Sequence, residues 1–74
     1  NPTTRISFSI PEFGFTTIIA YDIKGREIET LTHTNLNPGN YSIDWNASSY
    51  PSGIYLIRMD SDDFTQIQKV VLIK

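Results

Sequence analysis

The stretch Thr4-Arg5-Ile6-Ser7-Phe8-Ser9-Ile10 alternates strictly between apolar and polar residues. In an extended strand this puts Ile6, Phe8 and Ile10 on one face and Ser7 and Ser9 on the other. The same period of two returns at Tyr41, Ile43 and Trp45, with Ser42 and Asp44 between them. A chain built on that period must bury one face of each strand against a second layer, so its fold is made of sheets.

The remaining segments read as strand or turn. Pro11-Glu12-Phe13-Gly14 carries turn chemistry and closes the first strand. Residues 15–23 are rich in β-branched and aromatic side chains on both parities, which predicts a central strand covered at least partly on both sides. Asp22-Ile23-Lys24-Gly25 fits a type I turn, with Asp first and Gly fourth. Residues 27–34 form a weaker strand, because Ile28 and Leu31 lie three apart and break the period of two, the mark of a bulge or an edge. Asn37-Pro38-Gly39-Asn40 predicts a type II turn. A polar loop, residues 46–52, leads into Pro51-Ser52-Gly53 and a strand over 54–59. Asp60, Asp62 and Asp63 mark a hairpin tip, and residues 64–73 form the last strand.

Six or seven short strands with turn signals about every 8–12 residues predict an all-β antiparallel sandwich of immunoglobulin or fibronectin type III style. The chain holds no internal repeat, low-complexity tract or linker, so residues 1–74 read as a single domain. At this length a core contributes roughly 3–5 kcal/mol net, and no cysteine is present to add a disulfide. Packing therefore claims most of the apolar residues and leaves little room for a deep catalytic cleft. The absence of cysteine leaves the redox compartment open.

Six basic and eight acidic residues give a net charge of −2. A nucleic-acid partner calls for a concentrated basic face, which the scattered Lys and Arg do not make. No apolar run reaches the about 20 residues needed to span a bilayer as a helix. The chain opens Asn1-Pro2-Thr3-Thr4 and enters its first strand at once, which reads as part of a longer exported polypeptide with its export signal upstream.

Catalytic chemistry has few candidates. His33, the single histidine, lies among threonines in the weak strand, and no serine occupies a Gly-x-Ser-x-Gly elbow. The aspartates at residues 60–63 lack the central Gly and distal Glu of a calcium loop and read as a hydrated tip, with a weak ion site as the alternative. Glu27 and Glu29 share a face at i,i+2 and read as protection for an edge strand rather than a glycosidase pair. The expectation is a non-catalytic domain without cofactor or metal. Trp45, in phase with Tyr41 and Ile43, belongs in the core rather than on an exposed sugar platform. Phe13 and Tyr50, in loops, are the better candidates for exposed contacts. Asn40 and Asn46 begin Asn-x-Ser sequons that matter only in a eukaryotic secretory pathway.

Three features occur together in order: Asn1-Pro2-Thr3-Thr4 before the alternating strand and Pro11-Glu12, then Tyr21-Asp22-Ile23-Lys24-Gly25-Arg26-Glu27-Ile28, then Pro51-Ser52-Gly53-Ile54-Tyr55 with Lys69. Over its whole length the chain resembles the type A C-terminal sorting domain of proteins exported by the type IX secretion system of Gram-negative bacteria. It also resembles the related immunoglobulin-like domain of flagellar hook capping proteins, but the short 46–52 loop favours the sorting domain.

The resemblance implies a β-sandwich that directs an attached N-terminal cargo from the periplasm through the outer-membrane secretion machinery to the medium or cell surface. A sortase-like cysteine peptidase then removes the domain. The implied sorting motif comprises Pro51, Gly53, Tyr55, Lys69, Val70, Val71, Leu72, Ile73 and Lys74, and the implied turn motif Asp22, Gly25 and Arg26. The final Lys74, directly after the last strand, fits a natural C-terminus. The competing expectation is a passive immunoglobulin-like spacer, an adhesion module or a carbohydrate-binding appendage on a larger extracellular protein.

Overall fold

The computed structural model describes residues 3–62 and 64–73. Its strands are β1 (Thr3–Ile10), β2 (Gly14–Tyr21), β3 (Glu27–Leu36), β4 (Gly39–Asn46), β5 (Gly53–Ser61) and β6 (Phe64–Leu72). β1 pairs with β4 in a two-stranded sheet, and the other four form a sheet in the order β3-β2-β5-β6. Every pairing is antiparallel. A four-stranded face of this order opposed by a β1-β4 pair is the immunoglobulin-like sandwich arrangement, and the all-β expectation holds with six strands.

Alternation builds the core. β1 turns Ile6, Phe8 and Ile10 inward and β4 adds Trp45; β2 contributes Ile18 and Ala20, β5 contributes Tyr55, Ile57 and Met59, and β6 contributes Val70 and Leu72. Burying one large aliphatic or aromatic side chain of this kind stabilises the fold by about 1.5–3 kcal/mol. Thr16 and Ser61, the buried polar residues among those described, bond each other through their hydroxyls at 3.2 Å.

β2 lies between β3 and β5, the central place its composition predicts. β3 is an edge strand and is also bulged. Its register against β2 slips between Ile18 and Ile19 and again between Ala20 and Tyr21, leaving Leu31 and Ile28 without partners in the ladder. Those are the two apolar residues spaced three apart, and both pack against the core. The second bulge overturns the shared face expected for the two glutamates. Glu29 opposes Ala20 and Glu27 opposes Tyr21, adjacent residues that face opposite sides of the sheet.

Glu29, on the edge strand as expected, turns toward the opposite layer. Its Oε1 accepts the Trp45 indole N–H at 3.1 Å and lies 3.0 Å from the Tyr50 hydroxyl, which also donates to the Ile28 carbonyl at 3.0 Å. Tyr50 is half-buried against Trp45 and Tyr55, so it is not the exposed loop contact its position suggests. Burial, with the Glu29 carboxylate beside it, raises the Tyr50 hydroxyl above its ordinary pKa of 10.0. Phe13 is exposed as expected.

Two turns differ from expectation. Gly39 takes φ 151°, outside a type II turn, because it pairs with Ile10 while the Asn37 carbonyl accepts the Tyr41 hydroxyl at 2.6 Å. β5 runs on to Ser61, which pairs with Phe64, so Asp60 belongs to the strand and only residues 62 and 63 connect β5 to β6. Asp60 bonds Arg58 at 3.0 Å and Thr65 at 2.7 Å, whereas the Asp62 carboxylate lies against Gly14. The aspartates thus point apart, and Asp63 lies outside the described residues.

Trp45 is 1% exposed, and its indole N–H has one acceptor. Trp45→Ala is expected to cost about 3–5 kcal/mol through lost burial and the cavity it leaves. Glu29→Ala strands that N–H and costs about 1–3 kcal/mol, whereas Glu29→Gln, which keeps an acceptor oxygen, costs less. Urea unfolding of the three variants gives the order.

Candidate functional site

The two motif groups singled out in the sequence are far apart in the chain but meet at one end of the sandwich. The β2–β3 turn and the loop entering β5 line a shallow cleft of about 240 Å³, with Asp22, Lys24 and Arg26 on one side and Pro51, Gly53 and Tyr55 on the other. The β5–β6 ladder joins the second group to the last strand, pairing Gly53 with Leu72, Ile54 with Val71, Tyr55 with Val70 and Leu56 with Lys69.

The turn is self-contained. The Gly25 N–H bonds the Asp22 carbonyl at 3.0 Å, as in the predicted type I turn, and Gly25 then takes φ 87°. Asp22 Oδ1 accepts the Lys24 and Arg26 main-chain N–H groups at 2.9 and 3.0 Å, and Oδ2 accepts Arg26 Nε at 2.8 Å. The Arg26 N–H foremost, with the guanidinium and the Lys24 N–H, holds the Asp22 carboxyl below its ordinary value of 3.8. These bonds account for Asp, Gly and Arg at this spacing by turn geometry.

Tyr55 closes the second group. Its hydroxyl donates to the Pro51 carbonyl four residues back at 2.6 Å, and its ring sits edge-on to Trp45 at 5.7 Å. Tyr41 and Asn37 repeat the bond at the entry to β4. Gly53, between the loop and the strand, takes φ 154°, where a side chain is strained.

Along β6 the motif divides by parity. Val70 and Leu72 are buried, whereas Lys69 and Val71 lie on the outer face, with Val71 53% exposed; Ile73, just past the strand, is 72% exposed. Lys74 lies outside the described residues. The outer face also carries Ile54 and Ile67, both exposed, and half-buried Leu56 and Tyr21, which the sequence motifs did not single out. Tyr21, Leu56, Arg58, Ile67 and Gly25 surround a second hollow of about 230 Å³. The run Ile54-Tyr55-Leu56-Ile57, apolar on both parities, is the sequence signal for this face.

His33 lies exposed on β3, its ring edge-on to Phe15 at 4.8 Å. Among the described residues no group of three or more His, Asp or Glu side chains is placed to hold a metal ion, and no helix is long and apolar enough to cross a membrane.

Fold and site define a small immunoglobulin-like sandwich whose motif residues gather along its last hairpin. The family model described as the secretion system C-terminal sorting domain matches residues 1–74, and the chain belongs to that family, the sorting signal of type IX secretion. No curated protein and no solved structure matches it. Family membership gives the domain a role with the secretion machinery on behalf of a cargo N-terminal to it, which becomes secreted or cell-surface. It favours sorting over the spacer, adhesion and carbohydrate-binding alternatives.

Two outcomes follow for the site. Gly53→Val should destabilise by about 1–3 kcal/mol in urea despite valine's preference for strands, because φ is wrong for a side chain. Asp22, its pKa lowered by folding, contributes stability that is present above pH 3.8 and lost as pH falls through the folded value. The difference in melting temperature between wild type and Asp22→Asn should therefore be constant near neutrality and shrink in acid.

Proposed function

We propose that residues 1–74 act as a single sorting domain whose exposed motif half is read by the outer-membrane machinery and whose buried half holds that surface in shape. Lys69, Val71 and Ile73 are the reading positions. Pro51, Gly53, Tyr55, Val70 and Leu72, with the Asp22, Gly25 and Arg26 turn, are positioning residues, and Lys74 belongs to the same sorting motif. The domain has no catalytic role, travels with its cargo through the periplasm, and is removed after transit by a sortase-like cysteine peptidase.

The observation that supports this reading is the parity split of the last strand. A strand kept only for packing on one face has no need of Ile67 and Val71 on the other, where threonine or a charged residue would serve. The exposure of these aliphatic residues, on the strand where the family resemblance puts the motif, favours recognition.

A fusion of residues 1–74 behind an inert periplasmic reporter, in a host with type IX machinery, tests the reading. The fusion should reach the surface or medium. Val71→Ser with Lys69→Ala should hold it in the periplasm while its melting temperature stays within a few degrees of wild type. Leu72→Ala should also block export, but with a stability loss of about 2–5 kcal/mol. Export of the folded double variant at the wild-type level would overturn the assignment of reading positions, and retention of the intact fusion would overturn the sorting role for this chain.

A further inference from the structure

In the four-stranded sheet, the β6 edge is less protected than the β3 edge. β3, at the opposite edge of the same sheet, has two bulges and is largely polar. β1 is covered in part by Gln68, whose Nε2 donates to the Ser7 carbonyl at 2.8 Å. β6 pairs with β5 over an unbroken register from Phe64–Ser61 to Leu72–Gly53 and has no main-chain ladder on its other side, where its own Gln68 makes that side-chain bond to β1. It contains no proline, and its only charge is Lys69. Short length, bulges, prolines and several charges are the usual guards of an open edge, and β6 has little of these.

The charges on the outer face are unevenly satisfied. Arg58 is paired with Asp60 at 3.0 Å and Arg26 with Asp22 at 2.8 Å. Among the described residues no carboxylate pairs with Lys69, which stands between Ile67 and Val71 on the outward side of the edge strand. Opposite charges and matched apolar pairs on neighbouring strands are the units by which a sheet selects its next strand.

Resting on the sorting reading, we propose that β6 is extended by a strand from a protein partner, and that this strand sets an acidic residue opposite Lys69 and aliphatic residues opposite Ile67 and Val71. Main-chain hydrogen bonds to the free edge supply affinity. The apolar–acidic–apolar alternation on the outer face supplies specificity. A second copy of this chain is a poor occupant, because antiparallel pairing of two β6 strands centred on Lys69 sets lysine against lysine.

The probe is the capped heptapeptide Thr-Val-Thr-Glu-Thr-Val-Thr, whose symmetric pattern presents Val-x-Glu-x-Val in either strand direction, with a version carrying Lys for Glu as control. Each is titrated to about millimolar concentration into the isotope-labelled 74-residue chain and followed by amide chemical shifts and hydrogen exchange. Shifts and new exchange protection should concentrate on the β6 amides, and the Glu peptide should bind about tenfold tighter than the Lys peptide. Lys69→Glu, an exposed change checked by its melting curve, should reverse that preference. Absence of β6 shifts with the Glu peptide, equal binding of the two peptides, or protection on β3 instead would overturn the proposal. So would concentration-dependent dimerisation that protects β6 without peptide. Export of the reporter fusion is scored separately, so a failed titration with intact export leaves sorting in place and removes only the added strand.

Discussion

The Trp45 indole is buried among aromatic rings and still carries a donor that must be satisfied, and much of the architecture is arranged around that requirement. Glu29 meets it from β3, in the four-stranded sheet, while Trp45 belongs to β4 in the opposing pair, so one hydrogen bond joins the layers at the edge strand. Tyr50 brings the β4–β5 loop to the same carboxylate, and Tyr55 packs its ring on Trp45 while its hydroxyl holds Pro51. In a domain with no disulfide, this knot of three rings and one carboxylate does the cross-linking that packing alone at this size supplies poorly.

The knot also determines how the last hairpin is presented. Tyr55 begins the buried parity of β5, and the unbroken ladder transmits that parity to β6, so Val70 and Leu72 must enter the core and Lys69 and Val71 must leave it. A one-residue slip would exchange the two sets. The Tyr55–Pro51 bond and the positive φ of Gly53 fix the residue at which β5 starts. Residues at the start of the neighbouring strand thereby decide which side chains of β6 face out.

Much of this was legible in the sequence because alternation reports directly on which face is buried. β1 and β4 could be oriented residue by residue, and Trp45 assigned to the core, from a period of two. The irregular spacing of Ile28 and Leu31 points to a bulge or an edge, but not to both together nor to two bulges, and the second one turns Glu29 across the sheet to Trp45. A carboxylate sixteen residues from its indole leaves no trace in local pattern. Tyr50 was misplaced for the same reason, since its partners Ile28 and Glu29 are distant in sequence. The site motifs were visible as residue types, whereas their meeting at one end of the sandwich depends on β2 and β5 being neighbours, a fact of topology.

Recognition of such a domain is tied to its folding by construction. The buried and exposed residues of β6 alternate along one backbone, so no partner can contact Lys69, Val71 and Ile73 in their outward geometry unless Val70 and Leu72 are seated in the core. A disordered segment of the same composition would present all of them on a flexible chain and incur the ordering cost on binding. The sandwich meets that cost beforehand, through packing led by Trp45. Variants that block sorting therefore separate physically into those that alter the outward side chains of a folded strand and those that unseat the strand, and stability measured beside export tells the two apart.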